Sequence, residues 1–175
     1  MSLSRSRPTA YVVYTEGMEE EAREEENEFV ALRQQAEAGD AEAMRAVAKC
    51  FGEGLMGQTK DAGKEFHWYE LAAKRGNVRA LGGLGRCYLY GAGVEKNLAL
   101  GVAHLVESAA RGNAFACANV GLYYFSGSNG LPKDLQQARR WLAKAKTCDN
   151  YDAFADDHKA WTETTLSQCP DSEWA

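Results

Sequence analysis

The chain has 175 residues and contains little proline and little histidine, with three of each. So little proline excludes a low-complexity linker, and the ordinary balance of 45% hydrophobic and 26% charged residues excludes a disordered acidic tail as the whole chain. A long, purely apolar run is also missing. The longest uncharged segment, residues 112 to 132, is interrupted by asparagine, serine and glycine, so we expect a soluble chain without a membrane span. The length predicts one domain.

Positive charge is not in excess either, because 25 acidic residues outnumber 20 basic ones. This balance argues against bulk nucleic-acid binding, which requires a basic surface. The acidity comes from one block. Residues 16 to 28 contain eight Glu and one Arg, whereas residues 29 to 175 contain 17 acidic and 17 basic residues. The body of the chain is therefore predicted to be neutral.

Motifs of catalysis and metal binding are missing as well. The sequence contains no G-x-S-x-G, no H-E-x-x-H and no P-loop, and its histidines have no second metal ligand at the usual spacing. We therefore predict no catalytic residue, no metal site and no cofactor. The cysteines are odd in number and form no C-x-x-C pair: Cys50, Cys87, Cys117, Cys148 and Cys169. With no secretory signal at the N-terminus, we expect reduced thiols and a cytoplasmic location.

Glycine, in contrast, is abundant, with 17 residues, and most of them belong to an internal repeat. The repeat occurs three times, at residues 40–76, 77–112 and 113–149. Its copies share five positions. These are a small residue, an aromatic residue, a turn glycine, a residue that can start a second helix, and a large residue within that second helix, which we call the anchor. In the order of the copies these are Ala43, Ala80, Ala116; Phe51, Tyr88, Tyr124; Gly54, Gly91, Gly127; Asp61, Asn97, Asp134; and Trp68, His104, Trp141.

Each shared position has a physical interpretation. Apolar residues four apart form one face of a helix, and Asp or Asn caps a helix N-terminus. The turn glycines suit a helix C-terminus that requires positive φ. Each copy is therefore predicted to be a helix–turn–helix hairpin. One hairpin cannot bury its own apolar faces, so the copies are expected to stack into a solenoid.

The pattern resembles the Sel-1-like repeat family, a relative of the tetratricopeptide repeats. The second copy carries most of the first half of the family motif, in Ala80, Leu84, Gly85, Tyr88, Gly91, Gly93 and Val94. The sequence departs from the motif at Ala48, His104 and Lys146. The resemblance implies an all-α fold: a right-handed α/α superhelix of about three repeats with capping helices at both ends.

The flanks complete the predicted organisation. We expect an N-terminal extension at residues 1–16, an acidic capping helix at 17–39, the repeats at 40–149, and a capping helix with a tail at 150–175. Residues 9 to 15, TAYVVYT, have strand-like composition and are predicted as a tail, a short strand or a segment that docks on a sister chain. The C-terminal helix is predicted to bury a stripe that consists of Tyr151, Phe154, His158, Trp161 and Thr165.

The resemblance also implies a function, since such arrays bind partners on the concave face lined by the first helices. We expect a non-enzymatic adaptor or scaffold that binds a protein or peptide there, with an acidic or carboxylate-bearing segment as its ligand. The expected contact residues are Arg45, Lys49, Arg79, Arg86, Tyr90, Phe115 and Asn119. An alternative role for the same residues is that of ordinary exposed side chains.

Two other functions remain open at this point. Some secreted relatives carry a cysteine pair in each repeat and bind β-lactams, so a β-lactam-binding or -hydrolysing enzyme is one alternative. The first two repeats lack such pairs, although Cys117 and Cys148 are placed to lie near each other. The other alternative is a homodimer formed through the N-terminal segment. The acidic residues 19 to 28 are also a candidate competitor for the basic concave face, from the same chain or a neighbouring one.

Overall fold

The computed structural model describes residues 10–151 and 156–169, and in these ranges the chain forms eight helices and no strand. The all-helical expectation is confirmed. The helices are α1 (Ala10–Glu37), α2 (Ala41–Glu53), α3 (Ala62–Lys74), α4 (Val78–Tyr90), α5 (Leu98–Ala110), α6 (Ala114–Ser126), α7 (Leu135–Lys146) and α8 (Asp156–Ser167). No helix in the described part of the chain is long and apolar enough to cross a membrane.

The repeated helices begin and end at the residues that the sequence marks for this role. Asp61 caps α3 by accepting a hydrogen bond from the backbone N–H of Lys64, and Asn97 and Asp134 cap α5 and α7 in the same way. Gly54, which ends α2, has φ of 74°, in the left-handed region that favours glycine. The predicted caps and turn glycines are therefore confirmed.

Consecutive helices pack against each other from α1 to α8, as expected for a solenoid. In the second and third repeats the two helices approach closely at a glycine, Gly85 and Gly121. In the second repeat, a Cβ atom at Gly85 of α4 would lie only 2.9 Å from the carbonyl oxygen of Gly101 in α5. The glycine at this crossing therefore sets the distance between the two helices.

In each second helix a large buried side chain lies one position after the predicted anchor. Trp68, His104 and Trp141 are only half-buried. The residues that follow them are buried: Tyr69, Leu105 and Leu142. The sequence pattern predicts that the anchors are core residues, whereas in the structure each second helix is oriented so that the following residue is buried instead. The anchors pack at the edge of the core, where His104 stacks on Tyr88 at 5.6 Å between ring centroids.

Basic side chains connect successive repeats at their turns. Arg75 donates a hydrogen bond to the carbonyl oxygen of Gly39 at 2.7 Å, and Arg111 donates one to the carbonyl oxygen of Gly76 at 3.0 Å. Each bond satisfies a carbonyl in the turn after α1 or α3, which has no partner within that helix. These arginines therefore hold the first repeat against α1 and the second repeat against the first.

The flanking helices differ from two of the predictions. α1 begins at Ala10, so residues 10 to 15 are helical and the strand alternative for this segment is wrong. In α8, Thr162 and Thr165 are buried while Trp161 is 38% exposed, so the predicted buried stripe is wrong at Trp161. Tyr151 is buried as predicted. Phe154 and the side chain of His158 lie outside the described residues.

Candidate functional site

The candidate site is the surface formed by the first helices of the three repeats, α2, α4 and α6, which we call the first-helix face. It carries all seven residues that the sequence proposes as contacts. The structure links several of them in pairs. Glu42 on α2 joins Arg45 on the same helix to Arg79 on α4, and Arg86 on α4 lies over the ring of Phe115 on α6.

Most of the positive charge on this face is already paired. Arg45 Nη2 lies 2.6 Å from Glu42 Oε1, Arg79 Nη2 lies 3.5 Å from the same oxygen, and Lys49 Nζ lies 3.7 Å from Glu53 Oε2. The hydrogen bond from Arg45 lowers the pKa of Glu42, although burial opposes this shift. The first-helix face is therefore less basic than its four basic residues indicate.

Arg86 differs from the other three basic residues. Among the described residues it makes no ion pair within 4.0 Å, and its guanidinium carbon lies 5.9 Å from the centroid of the Phe115 ring. Its side chain is exposed. An exposed guanidinium beside an aromatic ring keeps its hydrogen-bond donors available for an incoming acceptor.

Glu65 of α3 also acts on this face, and the sequence-based prediction missed it because it lies on a second helix. Burial raises the pKa of the Glu65 carboxyl, and the positive charge of Arg86 opposes that shift. The carboxylate lies against Gly52, where a Cβ atom would be 2.6 Å from Glu65 Cδ. An alignment of the repeats could have identified Glu65, because the equivalent residues in the other repeats, Gly101 and Ala138, are small and uncharged.

Two tyrosines lie at the junction of α4 and α6. Tyr90, which the sequence proposes, is 67% exposed, whereas Tyr123, which it missed, is only 3% exposed. The Tyr123 hydroxyl is buried. Burial and the nearby Tyr90 hydroxyl raise the pKa of Tyr123 above its usual range, and Arg86 opposes them. Tyr123 therefore keeps its proton and can act as a donor.

The last proposed contact, Asn119, is half-buried, and its Nδ2 atom donates to the carbonyl oxygen of Phe115 at 2.8 Å. This bond fixes the side chain along α6 and uses one of its two N–H groups. The remaining N–H and the Oδ1 atom are the groups that a ligand backbone could use.

The cysteines give a separate result. Cys117 Sγ and Cys148 Sγ lie 4.0 Å apart, which confirms the predicted proximity, and all five cysteines are free thiols. Burial and the neighbouring Cys148 raise the pKa of Cys117 to about 12, so this thiol is neutral and unreactive near neutral pH. In residues 10–151 and 156–169 no group of three His, Cys, Asp or Glu side chains could share a metal ion.

Comparison with known proteins agrees with this architecture. The family model described as Sel1 repeat matches residues 41–77, 78–113 and 114–150, more than half of the chain. Two solved structures are similar: a Sel1 repeat protein from Oxalobacter formigenes and a protective antigen of uropathogenic Escherichia coli with an SLR fold. Their TM-scores are 0.62 and 0.60, each at 28% identity over 68% of this chain, and the match covers 48% and 25% of those chains.

Three curated relatives are similar to part of this chain. The ERAD-associated E3 ubiquitin-protein ligase component HRD3B of Arabidopsis thaliana is 31% identical over 66% of this chain, and the match covers 18% of that protein. Chitin synthase regulatory factor 3 of Schizosaccharomyces pombe is 28% identical over 59% of this chain and 11% of its own length. Protein SHC1 of Saccharomyces cerevisiae is 28% identical over 66% of this chain and 23% of its own length. The chain thus spans less than a quarter of these relatives.

Proposed function

Because the chain belongs to the Sel1 repeat family, we propose that it is a non-enzymatic adaptor that binds an acidic protein or peptide segment on its first-helix face. The relatives named as a ligase component and a regulatory factor support a role in protein–protein interaction. The observation that carries the proposal is Arg86, an exposed guanidinium without an ion pair among the described residues, beside Phe115 and the exposed Tyr90. In this proposal the first-helix face is the concave surface of the array.

The chemistry of the face supports a peptide that carries at least one carboxylate. Arginine forms charge-assisted, bidentate hydrogen bonds with carboxylates, and an exposed tyrosine adds apolar contact area and a hydroxyl. Arg45, Lys49 and Arg79 already have carboxylate partners, so they contribute only if the ligand displaces Glu42 or Glu53. We therefore place the main contact at Arg86, Tyr90, Phe115 and Asn119. A cytoplasmic location is part of the proposal, supported by the free thiols.

A pull-down from the native cell with two matched double variants tests this function. Arg45→Glu/Arg86→Glu reverses two charges on the first-helix face, and Lys96→Glu/Lys133→Glu reverses two exposed charges in the loops between helices. We expect the first pair to abolish capture of a partner that both wild type and the second pair retain. The partner is then purified and titrated against all three proteins. Equal affinity for the three proteins would contradict the proposal.

Self-association is a second candidate function. α1 has 28 residues and α2 has 13, so α1 extends well beyond the helix on which it packs. We propose that the start of this extension, residues 10 to 15, pairs with the same segment of a second chain. Light scattering on the full chain and on a variant that lacks residues 1 to 16 checks it. A monomeric full chain at high concentration would contradict it.

A further inference from the structure

Cys117 and Cys148 are two thiols of the third repeat whose sulfur atoms lie 4.0 Å apart. Cys117 is near the start of α6, and Cys148 lies in the turn just after α7, which ends at Lys146. A disulfide bond is about 2 Å long, so the two sulfur atoms need to move about 2 Å closer to form one. Both cysteines are free thiols in this structure, within a small movement of bond formation.

The contacts of the two thiols allow this movement. The Cys117 sulfur donates to the carbonyl oxygen of Ala109, and the Cys148 sulfur donates to that of Lys144, each at 3.3 Å. Thiols are weak donors, so little stability is lost when these bonds break. Because Cys148 lies beyond the end of α7, its sulfur can approach Cys117 through its own side chain and turn, without the shift of a packed helix.

The third repeat differs from the other two at both of these positions at once. The equivalent residues in the first and second repeats are Met44 and Leu81 for the first position, and Arg75 and Arg111 for the second. Those two arginines connect their repeats to the preceding turn by hydrogen bonds. The third repeat lacks this arginine and has instead a thiol in contact with a second thiol.

The two thiols also differ in their access to solvent. Cys117 is fully buried, whereas Cys148 is half-buried. A small oxidant from solvent therefore reaches Cys148 first, and Cys117 meets only what forms on Cys148. We propose that the pair is a site of reversible oxidation, at which a hydroperoxide such as hydrogen peroxide oxidises Cys148 and Cys117 then closes a disulfide bond. The inference goes beyond the proposed function and does not depend on it.

The reaction has two steps. In the first, the sulfur of Cys148 attacks one oxygen of hydrogen peroxide and the O–O bond breaks; Cys148 becomes a sulfenic acid, and the departing hydroxide takes the thiol proton to form water. In the second, the sulfur of Cys117 attacks the sulfenic sulfur, the S–O bond breaks, and the hydroxyl leaves with the Cys117 proton as water. The two thiols together lose two electrons and two protons, and the peroxide is reduced to two waters. A dithiol reductant reverses the bond by exchange.

The disulfide would join the two halves of the third repeat at a place where a hydrogen bond already joins them. Asn150, in the same turn as Cys148, accepts a hydrogen bond from the backbone N–H of Ala114 at the start of α6, at 3.0 Å. The cross-link also closes the loop of residues 117 to 148, which reduces the conformational freedom of the unfolded chain. We therefore expect the oxidised protein to keep its fold and to be more stable than the reduced protein.

The test treats the reduced full chain with hydrogen peroxide, blocks the remaining thiols with N-ethylmaleimide and maps tryptic peptides without a reductant. Cys117 lies in the tryptic peptide of residues 112 to 133 and Cys148 in that of residues 147 to 159, and neither peptide contains another cysteine. We expect these two peptides to be joined, with the loss of two hydrogen atoms, in a protein that remains monomeric in mass. Dithiothreitol should separate them again.

Three variants assign the roles. Cys148→Ser should form no cross-link, and Cys117→Ser should stop at the sulfenic acid, which dimedone traps on residues 147 to 159. Cys169→Ser is the matched control and should cross-link like the wild type, because Cys169 is a buried thiol that donates to the carbonyl oxygen of Thr165. The cross-linked wild type should melt roughly 5–10 °C higher than the reduced protein, and peroxide should leave the melting temperature of Cys148→Ser unchanged.

Different results overturn different parts of the proposal. If the wild type gives no joined peptides, or gives them only in a covalent dimer, the site is wrong. A dimedone adduct on Cys117 in Cys148→Ser, with none on Cys148 in Cys117→Ser, overturns the order of the two steps. A cross-linked protein that melts no higher than the reduced one overturns the stabilising effect. Because Cys148 is half-buried, Cys148→Ser still decides the cross-link if Cys117→Ser fails to fold.

Discussion

Substitution of Gly85 by alanine tests the close contact between the two helices of the second repeat. The new Cβ atom would lie 2.9 Å from the carbonyl oxygen of Gly101 and 3.1 Å from the backbone nitrogen of Leu105. Neither backbone atom can move without a shift of α5. Alanine raises helix propensity by about 1 kcal/mol, but overpacking costs about 1–3 kcal/mol, and rigid neighbours favour the upper end. We expect a net loss of about 2 kcal/mol in the free energy of unfolding.

The measurement is urea unfolding followed by circular dichroism at 222 nm, with tryptophan fluorescence as a second probe of two-state behaviour. Gly63→Ala is the matched control, because its Cβ atom would meet only Asp61 Oδ1, at 3.4 Å. This control should be as stable as the wild type or slightly more so. A Gly85→Ala protein as stable as the control would refute the close helix crossing.

Three further predictions concern an ion pair, a link between repeats and the thiols. Glu42→Gln should be less stable than wild type at pH 7. The difference should shrink as pH falls below the ordinary carboxyl pKa of 4.5 and vanish below the folded-state pKa of Glu42, which its partner Arg45 lowers. Arg111→Ala should lose about 1 kcal/mol of stability with its hydrogen bond to the preceding turn. Iodoacetamide at pH 8 should modify the half-buried Cys148 first and leave the buried Cys117 intact.

Each of these outcomes has a contrary result. A Glu42→Gln protein whose stability deficit grows as pH falls would contradict the direction of the carboxyl shift. Arg140 is exposed, and its replacement by alanine serves as the control for Arg111→Ala. Equal stability of the two variants would contradict a role for Arg111 at the turn. Peptide mass mapping that finds Cys117 alkylated before Cys148 would contradict the burial of that thiol.

The repeat made the fold predictable, because three copies of one hairpin repeat the same local signals. Caps such as Asp61 and C-terminal glycines such as Gly54 act within a few residues, and the structure places them as expected. The core of the second helices was less predictable. Rotation of each helix about its axis depends on packing with its neighbours, and it moved the innermost position from Trp68 to Tyr69.

The candidate site was predictable only in part, because its electrostatics depend on contacts between helices. The alignment of the repeats placed Arg45, Arg79 and Arg86 on the first helices. It did not predict the ion pair that Glu42 makes with Arg79 of the next repeat. Glu65 comes from a second helix, and the orientation of Tyr123 toward α4 depends on how α6 packs. The register did mark both residues as unlike their equivalents in the other repeats, which is the signal that sequence analysis can use.

The central claim is that the first-helix face binds an acidic peptide around Arg86. Amide chemical-shift mapping during titration with a peptide of the acidic residues 19 to 28 tests it most directly, on the wild type and on Arg86→Glu. The account predicts shifts concentrated around Arg86, Tyr90 and Phe115 on α4 and α6, and their loss in the variant. Shifts concentrated on α3, α5 and α7, or shifts that persist unchanged in Arg86→Glu, would contradict it.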